Sequence, residues 1–213
     1  MNCFRLIRHA RQAYADSLAE QRQGVEAILA RESPNLLILT EHPPVYTMGR
    51  SGRQAEILDT LPAGAAIPVL ETDRGGRVTY HGPGQMVAYV LLDLASHARE
   101  VRRHVWRLEE SVIQTLAILG VTADRDPAGP GIWVGAAKIG ALGVRIRRGV
   151  TSHGLSLNRE PDLRHFSGII PCGFADRPVT SLAALGHPVR REELEEVFIR
   201  VFEEVFSVHW EEN

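Results

Sequence analysis

Lysine is almost absent from this chain of 213 residues: of its 24 basic side chains, 23 are arginine and one, Lys138, is lysine. Arginine stays protonated, whereas a desolvated lysine can give up its proton, so the single lysine reads either as a position where permanent charge would not serve or as compositional bias and chance. Cysteine is nearly as scarce. Cys3 and Cys172 are too few for a disulfide framework, which points to a reducing, cytoplasmic setting. Excess charge is missing too: 24 basic against 26 acidic residues leave a net charge of −2 and exclude a strongly basic nucleic-acid binder. No apolar run reaches the length of a membrane span, and residues 1–10 lack the apolar core of a signal peptide. The nine histidines form no HxxxH pair and the cysteines no CxxC pair, so a metal site has no support. There is no internal repeat and no low-complexity tract.

What is there reads as an ordinary globular chain, 44% apolar and 23% charged, of a length that suits one domain over residues 1–213. Strands are predicted at 3–8, 36–40, 67–70, 86–94, 121–123, 132–134, 138–147 and 150–158. Helices are predicted at 11–31, at 101–119 before Gly120, and at 191–206. The stretch from His42 to about Gly64 reads as irregular. On the last helix, Glu192, Glu193, Glu195, Glu196, Glu203 and Glu204 read as a solvated face. Strands and helices mix without strict alternation, so the class is α+β: a mixed, largely antiparallel sheet covered by helices on one face.

Three segments carry chemistry. Arg74 to Tyr89 holds four glycines, at 75, 76, 82 and 84, among Arg74, Arg77, Thr79, Tyr80, His81 and Gln85. Glycines let a backbone approach a ligand and expose its N–H groups, and the two arginines suit a phosphate or carboxylate; the competing reading is a tight turn feeding the next strand. In the strand 138–147, alternation places Lys138 with Gly140, Leu142, Val144 and Ile146, opposite Arg145 and Arg147. On that apolar side the lysine is desolvated and its pKa falls, unless Gly140 or Gly143 introduces a bulge. In Gly168-Ile169-Ile170-Pro171-Cys172-Gly173-Phe174, proline and glycine hold the thiol in a rigid turn, where a nearby ammonium favours the nucleophilic thiolate. Cys3, on a terminal strand, reads as inert.

These residues resemble the octanoyltransferases of lipoate biosynthesis. The match is complete at the family's fixed positions Arg74, Gly75, Gly76, Thr79, His81, Pro83, Gly84, Gln85 and Tyr89. Lys138-Ile139 with Ala141 to Arg145, then His153-Gly154-Leu155 with Asn158, then the cysteine loop, follow in the family's order, departing only at Gly140 and Ser156, where alanine is commoner. The resemblance implies the biotin and lipoate protein ligase catalytic fold, with Cys172 and Lys138 as the catalytic pair. It implies substrate-binding positions at Arg74, Gly75, Gly76, Arg77, Val78, Thr79, Tyr80, His81, Ala141, Leu142, Gly143, Gly154, Leu155 and Ser156, with Leu142 and Leu155 along an acyl tunnel and backbone N–H groups cradling the acyl carbonyl. No cofactor is expected, and a monomer is the default. The octanoyl donor is an acyl carrier protein. The acceptors are lipoyl domains of 2-oxoacid dehydrogenase subunits and the glycine-cleavage H protein. The rival readings are an ATP-dependent lipoate or biotin protein ligase, a non-catalytic acyl-binding module and a cysteine amidase.

Overall fold

The computed structural model describes residues 2–58, 66–94, 98–127, 129–170 and 177–211, and the backbone alone of 98–100. Cys172 and its neighbours Pro171, Gly173 and Phe174 lie outside the described residues.

Among the described residues, eleven strands and three α-helices follow in the order β1 (Asn2–Arg8), α1 (Tyr14–Leu29), β2 (Asn35–Thr40), β3 (Val45–Met48), β4 (Val69–Glu71), β5 (Val78–His81), β6 (Gln85–Leu91), α2 (Ala98–Ile118), β7 (Asp124–Asp126), β8 (Gly129–Val134), β9 (Ala137–Arg147), β10 (Val150–Asn158), α3 (Arg191–Phe206) and β11 (Val208–Trp210). Eight form one sheet, ordered β11-β1-β2-β6-β10-β9-β8-β7; β4, β3 and β5 form a second. In the large sheet β1 runs parallel to β2 and β11, and the other pairings are antiparallel.

The fold is α+β with a mixed, largely antiparallel sheet, but its helices cover both faces. The central strand β6 is apolar almost throughout, as a strand buried on both sides must be. Its Met86, Ala88 and Val90 join the core under α2 and α3, with Leu108, Val112, Phe198 and Phe202. Its Val87, Tyr89 and Leu91 face α1 and meet Val25 and Ile28. A third cluster, with Tyr46, Val78, Tyr80, Phe166 and Ile169, fills the small sheet.

Several boundaries differ from expectation. The irregular stretch after His42 contains β3, and the glycine-rich segment contains strand β5 at its middle. Residues 121–123 precede a strand at Asp124–Asp126 instead of forming one. On α3, Glu195 is buried: its carboxylate takes the Arg191 guanidinium at 2.7 Å, and Arg191 also donates to the His9 carbonyl at 2.6 Å.

Candidate active site

The glycine-rich segment divides into a loop, Arg74 to Arg77, and a hairpin, β5 to β6, that turns through Gly84 at φ +83°. The loop lies directly on β9. Gly75 N–H donates to the Val144 carbonyl at 2.9 Å, so this N–H is not open to an acyl oxygen. Arg74 is buried and braces the loop against β3. Its guanidinium donates to the Thr47 carbonyl at 2.6 Å and hydroxyl at 2.8 Å, and to the Gly75 carbonyl at 3.0 Å. Arg77 pairs with the buried Glu56 at 2.8 Å. Both arginines are therefore tied into the protein, and the expected phosphate or carboxylate clamp is not formed.

Beneath this loop lies a cavity of about 360 Å³. Twelve of the fourteen expected binding positions line it: Arg74, Gly75, Gly76, Arg77, Thr79 and His81 from the loop and β5, Ala141, Leu142 and Gly143 from β9, and Gly154, Leu155 and Ser156 from β10. Val78 and Tyr80 do not, because alternation along β5 turns them into the third core cluster, where the Tyr80 hydroxyl bonds His165 Nδ1 at 2.8 Å. Tyr14, Val87, Tyr89, Val105 and His153 also line the cavity. Tyr89 and His153 stand among the family's positions without a binding role, and Tyr14, Val87 and Val105 are missed because the apolar spacing of their elements reads as core alone.

Lys138 is buried, at 7% exposure, as expected, but by another route. Opposite β8 the register slips: Ile132 pairs with Gly140 and Trp133 with Lys138, so β9 carries one extra residue at Ile139. The bulge breaks the expected parity. Ile139, Leu142 and Val144 all pack toward the main core, while Lys138 enters a small cavity with Thr79, Gln85, Ser156 and Asn158. The small and large cavities share Thr79, Ala141 and Ser156. The Lys138 ammonium donates to the Pro130 carbonyl at 3.4 Å and lies 5.3 Å from the Trp133 ring centre.

Both flanks of the segment carrying Cys172 are anchored. Ile170 N–H donates to the Glu56 carbonyl at 2.8 Å. On the far side, Lys138 N–H donates to the Pro178 carbonyl and Thr180 N–H to the Lys138 carbonyl, each at 2.9 Å. Arg177 stacks on Trp133 at 4.7 Å and pairs with Asp126.

Two neutral imidazoles, His81 and His153, line the large cavity, and a third, His42, packs against His81. His42 Nδ1 donates to the Gln12 carbonyl at 2.7 Å, so its Nε2 accepts from the Tyr89 hydroxyl, also at 2.7 Å. Burial pushes the His42 pKa down to about 4. His81, sandwiched near Tyr14 and His42, is pushed down to about 3 by burial, with His42 and the Arg74 guanidinium adding to the effect. His153 is pushed to about 3 by burial and by Arg74 and Arg145, and bonds Asp73 at 2.8 Å. Burial likewise holds the Tyr89 hydroxyl well above its usual range. Among the described residues no group of three or more histidine, cysteine or carboxylate side chains could hold a metal ion, and no helix is long and apolar enough to cross a membrane.

Known proteins resemble this chain in sequence and fold. Residues 13–203 match the family of the lipoyl protein ligase A/B catalytic domain. An octanoyltransferase of Magnetococcus marinus is 54% identical over 200 residues, covering 93% of this chain and 92% of that protein. One from Sphingopyxis alaskensis is 50% identical over 192 residues, covering 88% of this chain and 86% of its own. The fold also follows a bipartite lipoate protein ligase of Thermoplasma acidophilum, with a TM-score of 0.78 at 19% identity over 100% of this chain and 87% of that one. The chain belongs to the lipoyl protein ligase A/B catalytic-domain family, and within it to the octanoyltransferases.

Proposed function

We propose that residues 1–213 form one catalytic domain that moves an octanoyl group from an acyl carrier protein to the acceptor lysine of a lipoyl domain, through a thioester on Cys172. The acceptors are the lipoyl domains of 2-oxoacid dehydrogenase subunits and the glycine-cleavage H protein. The chemistry runs in two exchanges. The Cys172 thiolate attacks the donor thioester, the carrier's C–S bond breaks, and the carrier thiol leaves with a proton. The acceptor amine then attacks, a C–N bond forms, the Cys172 C–S bond breaks, and the amine proton ends on the thiol. Thioester exchange is nearly balanced, and amide formation drives the whole, so no adenylate is needed.

The observation that carries this reading is the buried Lys138, whose backbone hydrogen-bonds on both sides to the stretch just beyond the cysteine segment, at Pro178 and Thr180. A lysine there supports a thiolate as its counter-ion and passes protons between thiol and amine. The acyl carbonyl then belongs where the two cavities share Thr79, Ala141 and Ser156, with its chain in the larger one beside Leu142 and Leu155. A volume near 360 Å³ with mostly apolar walls suits an eight-carbon chain. The adenylating alternative is weaker, because Arg74 and Arg77 are held by Thr47 and Glu56 and not free for phosphates.

The test is intact mass after mixing with octanoyl carrier protein and no ATP. The expected result is one octanoyl addition, mapped to Cys172 and discharged by a lipoyl domain. A requirement for ATP and free octanoate, or a stable thioester on Cys172→Ser, would overturn the assignment.

A further inference from the structure

A chain of buried amides reaches from the cavity to the lysine strand, and its orientation can be read without ambiguity. Asn158 Nδ2 lies 2.9 Å from the Thr180 carbonyl, and Gln85 Nε2 lies 3.2 Å from the Tyr80 carbonyl. Backbone carbonyls only accept, so both amide nitrogens are fixed. Asn158 Oδ1 therefore accepts from Gln85 Nε2 at 2.8 Å, and Gln85 Oε1 faces His81 Nδ1 at 2.7 Å. An amide oxygen cannot donate, so His81 Nδ1 must carry the proton. Its Nε2 is left as a bare lone pair on a residue that lines the cavity, and no described residue bonds it.

Gln85 and Asn158 are direct cross-strand partners on β6 and β10, both almost wholly buried. Two buried amides in one fixed orientation are a costly arrangement for a core and specify one tautomer of one ring. Around that ring stand Tyr14, His42, Arg74 and His153, and no carboxylate is among the groups that perturb it. The imidazole is thus held neutral, an acceptor of a hydrogen bond and not a carrier of charge.

We propose that His81 Nε2 receives an N–H of the incoming acceptor amine and turns its lone pair toward the acyl carbonyl, with Gln85 and Asn158 as positioning residues that fix the tautomer. An acyl thioester has no donor at its reacting end, whereas an amine has, so the bare nitrogen serves the second exchange and not the first. The proton is not transferred to His81; it leaves by Lys138. This rests on the two-step transfer proposed above.

A double-mutant cycle on the two exchanges, followed separately by intact mass, tests it. His81→Gln offers an amide oxygen near the Nε2 position and has no tautomer to fix. His81→Leu offers nothing. His81→Leu is expected to slow transfer to a lipoyl domain about 100-fold while slowing loading far less, with His81→Gln recovering about 10-fold of that loss. Gln85→Leu is expected to slow transfer about 10-fold beside His81, but less than about 3-fold beside His81→Gln. An equal loss in both backgrounds would make Gln85 a structural support and overturn its positioning role. Parallel losses in loading and transfer would overturn the amine contact of His81. Absence of loading in the unaltered protein would instead remove the transfer reading beneath both.

Discussion

A methyl group added to Gly154 would stand 2.2 Å from the carbonyl oxygen of Ala88, with no flexible side chain between to give way. Gly154 pairs with Tyr89 across β6 and β10 and lines the cavity, so the close approach of backbones shapes its floor. Gly154→Ala must push the two central strands apart. The expected loss is about 2–3 kcal/mol, which lowers the melting temperature by roughly 4–12 °C for a chain of this size. Calorimetry checks it; an unchanged melting temperature would show that the strands can slide.

The Arg74 brace is tested through its partner. Lysine at 74 offers one ammonium where the fork reaches both oxygens of Thr47 and the carbonyl of Gly75. Arg74→Lys should cost about 2–4 kcal/mol, since a buried charge loses partners, and Thr47→Val about 1–2 kcal/mol. The urea midpoints should fall without a change in slope. In the double variant the two losses should not fully add, because both remove the bond between the guanidinium and the Thr47 hydroxyl.

Lys138→Arg separates charge from proton exchange. Guanidinium keeps a cation near Trp133 but cannot give up its proton. Space is also short: a methyl on Gly131 would come within 2.7 Å of the Lys138 Cε. Octanoyl transfer should fall by at least ~100-fold while the fold survives at a cost of about 1–3 kcal/mol. Near-normal transfer by a folded variant would remove the proton role from the lysine.

Acid stability should fail early. His42, His81, His104 and His153 are held far below the value of 6.5, to between about 3 and about 4. Below pH 6.5 the unfolded chain takes up protons that the folded chain refuses. Each such histidine then removes about 1.4 kcal/mol of stability per pH unit until its folded pKa is reached. Stability should thus drop steeply from pH 6.5 to 5, before ordinary carboxylates titrate. His104 lies away from the cavity, is 1% exposed on α2, and finds no partner for either ring nitrogen among the described residues, beside Phe206. His104→Leu should add about 1 kcal/mol at neutral pH and flatten the acid slope. Urea titrations across that pH range measure both; an unaltered slope would contradict the assignment.

The parts readable from the residues alone are those where one face is apolar and the other wet. The helix Arg191–Phe206 has the predicted bounds, because Leu194, Val197, Phe198, Val201 and Phe202 repeat at helical spacing. Helix α1 is legible with half of its buried face, for Tyr14, Val25 and Ile28 carry the apolar spacing while Ser17, Gln21 and Gly24 share that face without an apolar signal. Gln21 is there to accept the His153 N–H at 2.9 Å, and Gly24 because a methyl would meet Leu91 at 2.7 Å. Strand β3 hides between Pro44 and Gly49, too short for alternation to register. The burial of Lys138 followed from its strand, but the bulge that decides its neighbours depends on the pairing with β8. The histidine–amide chain joins residues 73 positions apart, a relation that only the cross-strand register of Gln85 and Asn158 creates.

Strand β1 sits between β2 and β11, with Asn2 opposite Val208 and Phe4 opposite Trp210. Strand β1 therefore waits for a partner that stands about 200 residues further along the chain. Throughout synthesis its outer edge, with Phe4 destined for the core against Phe202, stays open. Closing a parallel pair across the whole chain is among the slowest kinds of contact to form. Synthesis speed and chaperone capture at that edge, more than the stability of the finished sheet, then govern how much of this protein reaches its folded state.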